Sequence, residues 1–382
     1  MISPQALYES LKKEGVEFFS GVPDSLLKEF CQYLESTLPP SKHVISVNEG
    51  TAVALAAGSY LGTGRVPLVY LQNSGLGNLI NPTLSLADPE VYGLPMIYMI
   101  GWRGEPGKKD EPQHIKQGRI TTDMLSSMEL PWRIVNEGEL NDGQESVKWA
   151  VQTSKKINGP VVLLIKKNVF LKLEDNNSAT IVSEDKISRE EVINIVSNSL
   201  RKDTMVVATT GMISRELYEV REIDGMDHSK DFLTVGSMGH ASQIALGISL
   251  SSPQQDITCL DGDGSLLMHM GGMATIGCRT ETNLFHIILN NGAHDSVGGQ
   301  STVAFKVCLT DIARACGYDK VEGPLKDASE IKDTVRSLSQ LSGNRFLEIQ
   351  VRKGSRKNLG RPKETPIYNK DLFIKSLRDK NE

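Results

Sequence analysis

Short apolar runs alternate with stretches of helical period from one end of the chain to the other, the signature of parallel strands joined by crossover helices. In the first half the runs at 17–20, 44–47, 68–72, 96–100 and 161–165 read as strands. In the second half those at 205–208, 233–235, 257–260, 284–289 and 346–350 do, again with amphipathic segments between them. Between the halves, 173–188 is polar and rich in Asp, Asn and Ser, and Ser188-Arg189-Glu190-Glu191 then spells a helix capping box. No sequence repeat is visible, yet the halves look like two copies of one architecture. The expectation is an α/β protein of two doubly wound parallel-sheet domains, 1–175 and 188–382, the second with a C-terminal extension. Ligands in such folds sit at the carboxyl ends of strands, so chemistry is sought just after each run.

The totals narrow this picture without changing it. A chain of 382 residues suits two domains of ordinary size. With 39% apolar and 23% charged residues it reads as globular, and no apolar run approaches the length that spans a bilayer. No secretory pattern opens the sequence, so the cytoplasm is expected. Five cysteines without paired spacing argue for reduced thiols rather than a disulfide framework or structural zinc. A net charge of −5 offers no global attraction to nucleic acid. The basic run Arg352, Lys353, Arg356, Lys357, Arg361 and Lys363 reads as a solvated extension, with packing on another subunit as the lesser alternative.

Two strand ends in the second half carry matched chemistry. After 257–260 comes Asp261-Gly262-Asp263-Gly264-Ser265, and after 284–289 comes Asn290-Asn291-Gly292-Ala293. Glycines permit a sharp turn and close backbone approach to a phosphate, and Ser265 with the following helix start supplies donors. Asp263 and Asn291 offer hard oxygen ligands of the kind magnesium takes alongside ligand phosphates. A Gly-Asp-Gly turn alone is only a tight turn. The pair, at this spacing, resembles the cofactor motif of the thiamine-diphosphate enzymes, and the resemblance implies that Asp263, Asn291 and the Ala293 carbonyl hold the metal. It further implies that Thr209-Thr210-Gly211-Met212 bonds the cofactor, chiefly through Thr210 and Gly211. Gly262, Gly264 and Ser265 would line the diphosphate, with Gly236 and Met238 of Gly236-Ser237-Met238-Gly239 on the aminopyrimidine. A Met there is otherwise core filler.

In the first half, Glu49 stands where an apolar strand meets the Ala-rich segment 51–58. A carboxylate at such a junction is costly to desolvate unless it has a task, and helix capping is the plain alternative. The segment resembles the pyrimidine domain of the same family, which implies that Glu49 activates the cofactor. It also implies a homodimer or higher assembly with the active site at the interface.

The segments Gly21-Val22-Pro23-Asp24-Ser25, 72–78, 101–107 and 290–300, in a chain with no middle domain, resemble the phosphonopyruvate decarboxylase family, with sulfopyruvate decarboxylases next. The resemblance covers essentially the whole chain. It implies loss of carbon dioxide from a small anionic 2-oxo acid, leading toward carbon–phosphorus metabolites. A substrate with a second anionic group needs cations near strand ends, and Arg103, Lys108, Lys109, His114 and Lys116 follow 96–100 in one loop. Arg103 is the first choice for the phosphonate, while the three lysines equally suit a solvated lid. Asp24, Ser25 and Asn73 are placed to orient the reacting carboxylate or carbonyl. His294, just past the metal motif, is a candidate proton donor. Sulfopyruvate decarboxylation, carboligation and a non-catalytic thiamine-fold subunit remain as alternatives.

Overall fold

A computed structural model describes residues 1–136, 140–172 and 186–378, so most of the expected boundary segment, 173–185, lies outside the described residues. The chain divides into two compact units, Met1–Ser178 and Ala179–Glu382. Unit 1 holds strands β1 (Phe19–Gly21), β2 (His43–Ile45), β3 (Leu68–Gln72), β4 (Met96–Gly101), β5 (Trp132–Val135) and β6 (Pro160–Ile165). Unit 2 holds β7 (Met205–Ala208), β8 (Asp231–Leu233), β9 (Ile257–Gly262) and β10 (Leu284–Asn290). It continues with the short hairpin β11 (Ala293–His294) and β12 (Gln300–Ser301), then β13 (Lys320–Leu325) and β14 (Arg345–Gln350). All pairings within the two large sheets are parallel. The orders are β2-β1-β3-β4-β6-β5 and β13-β14-β10-β9-β7-β8. Counted from its own first strand, each unit has the same order, so the two halves are two copies of one architecture, as their sequence pattern predicts.

β3, β4, β6 and β10 are buried along nearly their whole length because helices cover both faces of a parallel sheet, and this makes them continuous apolar runs. The unpredicted strands are edge members. β13 is polar, holds a proline and is mostly exposed, and β5 is only half-buried, so neither carries the apolar signal of a central strand. The helix Glu49–Thr63 begins where Asn48 accepts the Thr51 N–H at 2.8 Å and ends at left-handed Gly64. The capping box at Ser188 and Glu191 forms as the sequence spells it. The basic run after β14 is not a free extension. Arg356 pairs with Glu190 at 2.8 Å and with Glu219, Arg215 Nε donates to the Gly360 carbonyl at 2.7 Å, and Lys363 meets Glu222 at 3.0 Å. Acidic side chains of the helices Arg189–Ser199 and Met212–Ile223 supply the countercharge that composition alone did not locate.

Candidate active site

In each unit the strand order reverses between its first and third strands, the place where folds of this kind leave a crevice at the strand ends. In unit 2 the crevice lies at the ends of β7 and β9, and three sequence segments meet there on one hydroxyl. Ser265 Oγ lies 3.0 Å from Thr209 Oγ1 and accepts the Gly239 N–H at 3.1 Å. The loop after β7, the 236–239 segment and the Gly262–Ser265 turn are thereby held together. Thr210 and Gly211 follow Thr209 directly, and Gly236 and Met238 belong to the segment that Gly239 anchors. Gly211 has φ +100°, a backbone state other residues rarely adopt. A methyl at Gly264 would meet the His294 ring at 3.0 Å and Met238 Cε at 3.4 Å, so both side chains line the same turn.

Asp263 is 2% exposed and its carboxylate is held by the Thr302 hydroxyl and by backbone N–H groups, Asn291 among them. Among the described residues no cationic side chain is paired with it, and burial raises it to about 6. A divalent cation fits this donor set, since it supplies the missing positive charge beside hard oxygens. Asn291 and Ala293 lie in the turn that leads into the β11–β12 hairpin, and Thr302 follows that hairpin. His294 is buried, which lowers its pKa to about 4 and leaves the ring neutral at neutral pH. Beneath the turn, His286 bonds Tyr318 Oη at 3.0 Å and Asp261 at 3.4 Å, while Asp261 accepts the Gly262 N–H at 2.9 Å. Cys259 lies close to this buried pair.

In unit 1 Glu49 is 5% exposed at the start of its helix, so it does not act merely as a solvated cap. Burial raises its pKa, against the Asn78 amide that donates to Oε2 at 2.7 Å. A methyl on Gly75 would lie 2.2 Å from Glu49 Oε1, so that glycine makes room for the carboxyl. At the ends of β1, β3 and β4 the structure gathers Asp24, Ser25, Asn73 and Arg103. Asp24, fully buried and raised by that burial, accepts from Gln72 Nε2 at 2.5 Å and the Leu26 N–H at 3.0 Å. Asn73 exchanges two bonds with the Arg103 backbone, at 2.8 and 3.1 Å. The Arg103 guanidinium is a fixed fork rather than a loose cation. Its Nε donates to Asp110 Oδ2 at 2.9 Å, Nη2 donates to the other Asp110 oxygen, and Nη1 donates to Ser25 Oγ at 3.0 Å. Burial works against charge on Asp110, but Arg103 and the Glu111 and Gly104 N–H groups outweigh it and hold the carboxyl well below its usual range. His114 and Lys116 lie not in the loop with Arg103 but in the helix Pro112–Ser127, where His114 is buried with its carbonyl against Gly104.

Comparison with known proteins identifies the family of both units. The N-terminal TPP binding domain of thiamine pyrophosphate enzymes matches residues 3–126, and the C-terminal TPP binding domain matches 209–349. A phosphonopyruvate decarboxylase of Streptomyces viridochromogenes is 34% identical over 381 residues, covering 96% of this chain and 92% of its own. The chain belongs to the phosphonopyruvate decarboxylase family of thiamine pyrophosphate enzymes. A sulfopyruvate decarboxylase of Methanosarcina acetivorans is 26% identical and covers 93% of each chain. The sulfopyruvate decarboxylase subunit beta of Methanococcus maripaludis is 30% identical, covering 50% of this chain and 98% of its own.

For a member of this family, the sequence reading left several neighbours of the site unassigned. Asn78 and Gly75 lay inside the 72–78 motif, but nothing local says that they face Glu49. Asp110 follows Lys108 and Lys109, and nothing local says that its carboxylate turns back onto Arg103. Thr302 had no sequence signal at all, because its contact with Asp263 spans 39 positions.

Proposed function

We propose that this chain decarboxylates phosphonopyruvate to phosphonoacetaldehyde and carbon dioxide with thiamine diphosphate and magnesium. The observation that carries the substrate choice is the Arg103 fork, fixed by Asp110 and Ser25 at the strand ends of unit 1. A guanidinium held in this way suits a tetrahedral anion better than a neutral methyl. When bound, thiamine diphosphate supplies a carbon nucleophile and a sink for the electron pair left by carbon dioxide.

Under this reading residues 1–175 bind the pyrimidine end and 188–382 the pyrophosphate end. Asp263, the Asn291 amide oxygen and the Ala293 carbonyl hold magnesium. Thr210, Gly211, Gly262, Gly264 and Ser265 bond the diphosphate, and Gly236 with Met238 holds the aminopyrimidine. The Glu49 carboxyl, kept protonated into a higher pH range by burial, shares its proton with a ring nitrogen. Asp24, Ser25 and Asn73 orient the substrate carboxylate and carbonyl, with His114 beside them. Neutral His294 has one N–H to donate to the oxo group. The protein works in the cytoplasm as a homodimer or higher assembly with its active site at the interface. Supporting this are the separate subunit of the methanococcal relative and the exposed Leu55 and Leu61 on the helix Glu49–Thr63. Among the described residues, no helix is long and apolar enough to cross a membrane.

Aldehyde and carbon dioxide release from phosphonopyruvate, sulfopyruvate and pyruvate at equal concentration, with both cofactors supplied, tests the reading. Phosphonopyruvate should have the highest kcat/KM. A preference for sulfopyruvate would reassign the substrate, since a sulfonate fits the same fork. Condensation products with added aldehyde would mark carboligation, and cofactor binding without gas release from any oxo acid would mark a non-catalytic subunit.

A further inference from the structure

A buried chain of charged groups ties the turn after β10 to the rest of unit 2. Asn291 Nδ2 donates to Asp295 Oδ2 at 2.6 Å. The same oxygen accepts from Arg189 Nη1 at 2.9 Å and from the Gly354 N–H at 2.9 Å. Arg189, 4% exposed, closes the chain by donating from Nε and Nη2 to the two Glu216 oxygens at 2.7 and 2.9 Å. These partners come from four places: the start of the helix Arg189–Ser199, the helix Met212–Ile223, the segment after β14 and the turn itself.

The chemistry of the partners decides which way the Asn291 amide faces. A carboxylate without its proton only accepts and a backbone N–H only donates, so Asp295 must face the amide nitrogen and the Ala293 N–H, 3.0 Å away, must face the oxygen. Asn291 Oδ1 is therefore presented on the side away from Asp295, and its own N–H bonds the Asp263 carboxylate. We propose that Asp295, braced by Arg189 and Glu216, is a positioning residue that orients Asn291 Oδ1 as a ligand for the divalent cation of the diphosphate site. The inference rests on the thiamine diphosphate reading above and concerns metal affinity rather than substrate choice. Removing one partner of a buried ion pair also destabilises the fold, so metal affinity and melting are read separately below. Without the Asp295 acceptor the amide keeps only its bond from the Ala293 N–H, and losses of an outer-shell partner of this sort weaken metal binding by roughly 10–100-fold.

Calorimetric titration of Mg2+ into protein held at fixed thiamine diphosphate tests the proposal, with the melting temperature of the cofactor-free protein measured beside it. Asp295→Ala removes the acceptor, leaves the Arg189–Glu216 pair in place, and should raise the Mg2+ dissociation constant by about 10-fold or more. Arg189→Lys keeps one charge but cannot span both carboxylates, and should give a smaller loss in the same direction. Mg2+ affinity within about twofold of wild type for both variants overturns the proposal, whether or not they melt earlier, since earlier melting alone marks a structural role. A wild-type protein that takes up no Mg2+ with thiamine diphosphate would instead overturn the cofactor reading beneath it.

Discussion

Glu49 shows how one position carries both a cost and a use. The carboxyl is buried beside Asn78, in space that Gly75 leaves open, and burial raises its pKa from 4.5. A raised folded-state value means that its contribution to stability is full below the unfolded value and is lost as pH climbs through the folded one. Glu49→Gln removes that loss while keeping the shape. The variant should therefore unfold at higher denaturant than wild type near about pH 8, with the gap closing toward about pH 4. Turnover should fall by about 10²–10⁴-fold in the same protein, as the loss of a positioned acid–base group does. Denaturant midpoints and kcat at the two pH values measure both halves, and near-normal turnover would refute the role given to Glu49.

The loop from Trp102 to Glu111 is built so that its cation cannot wander. Asp110 takes two guanidinium bonds and the Gly104 and Glu111 N–H groups, so the loop folds around one carboxylate. Lysine carries the same charge with all its donors on one nitrogen, which cannot bridge Asp110 and Ser25 as the three guanidinium nitrogens do. Arg103→Lys should raise KM for phosphonopyruvate by roughly 10–100-fold, the equivalent of a charge-assisted bond lost. Turnover of pyruvate, if any is detectable in wild type, should change far less. Equal losses on both substrates would mean that Arg103 supports the loop rather than the second anionic group.

Across the whole molecule, the same strand order appears twice, and in each unit the residues of interest stand at strand ends on or beside its switch point. The two copies have diverged in chemistry: unit 1 presents a buried carboxyl and a guanidinium fork, and unit 2 presents a cradle with an uncompensated aspartate. Ligands that bind only the folded state stabilise it by mass action, by about 2.7 kcal/mol at a hundredfold excess over Kd. Protein saturated with thiamine diphosphate and Mg2+ should accordingly melt several degrees lower once EDTA removes the metal, and recover on adding it back. An unchanged melting temperature would count against a metal at Asp263.

The sequence alone determined the α/β class, the pair of parallel sheets and the cofactor motifs. Central strands buried on both faces must be continuous apolar runs, and phosphate-binding turns must spend glycines, so both leave local marks. Edge strands such as β5 and β13 leave none, because one side of each is open and polar residues are tolerated there. Only the tertiary structure decided which groups share a charge or a proton: Asp110 with Arg103 within one loop, Thr302 with Asp263, and Arg189 with Asp295 across 106 positions. Periodicity records which face of an element is buried. The partner a buried group finds depends on strand order and crossover path, which no local pattern encodes.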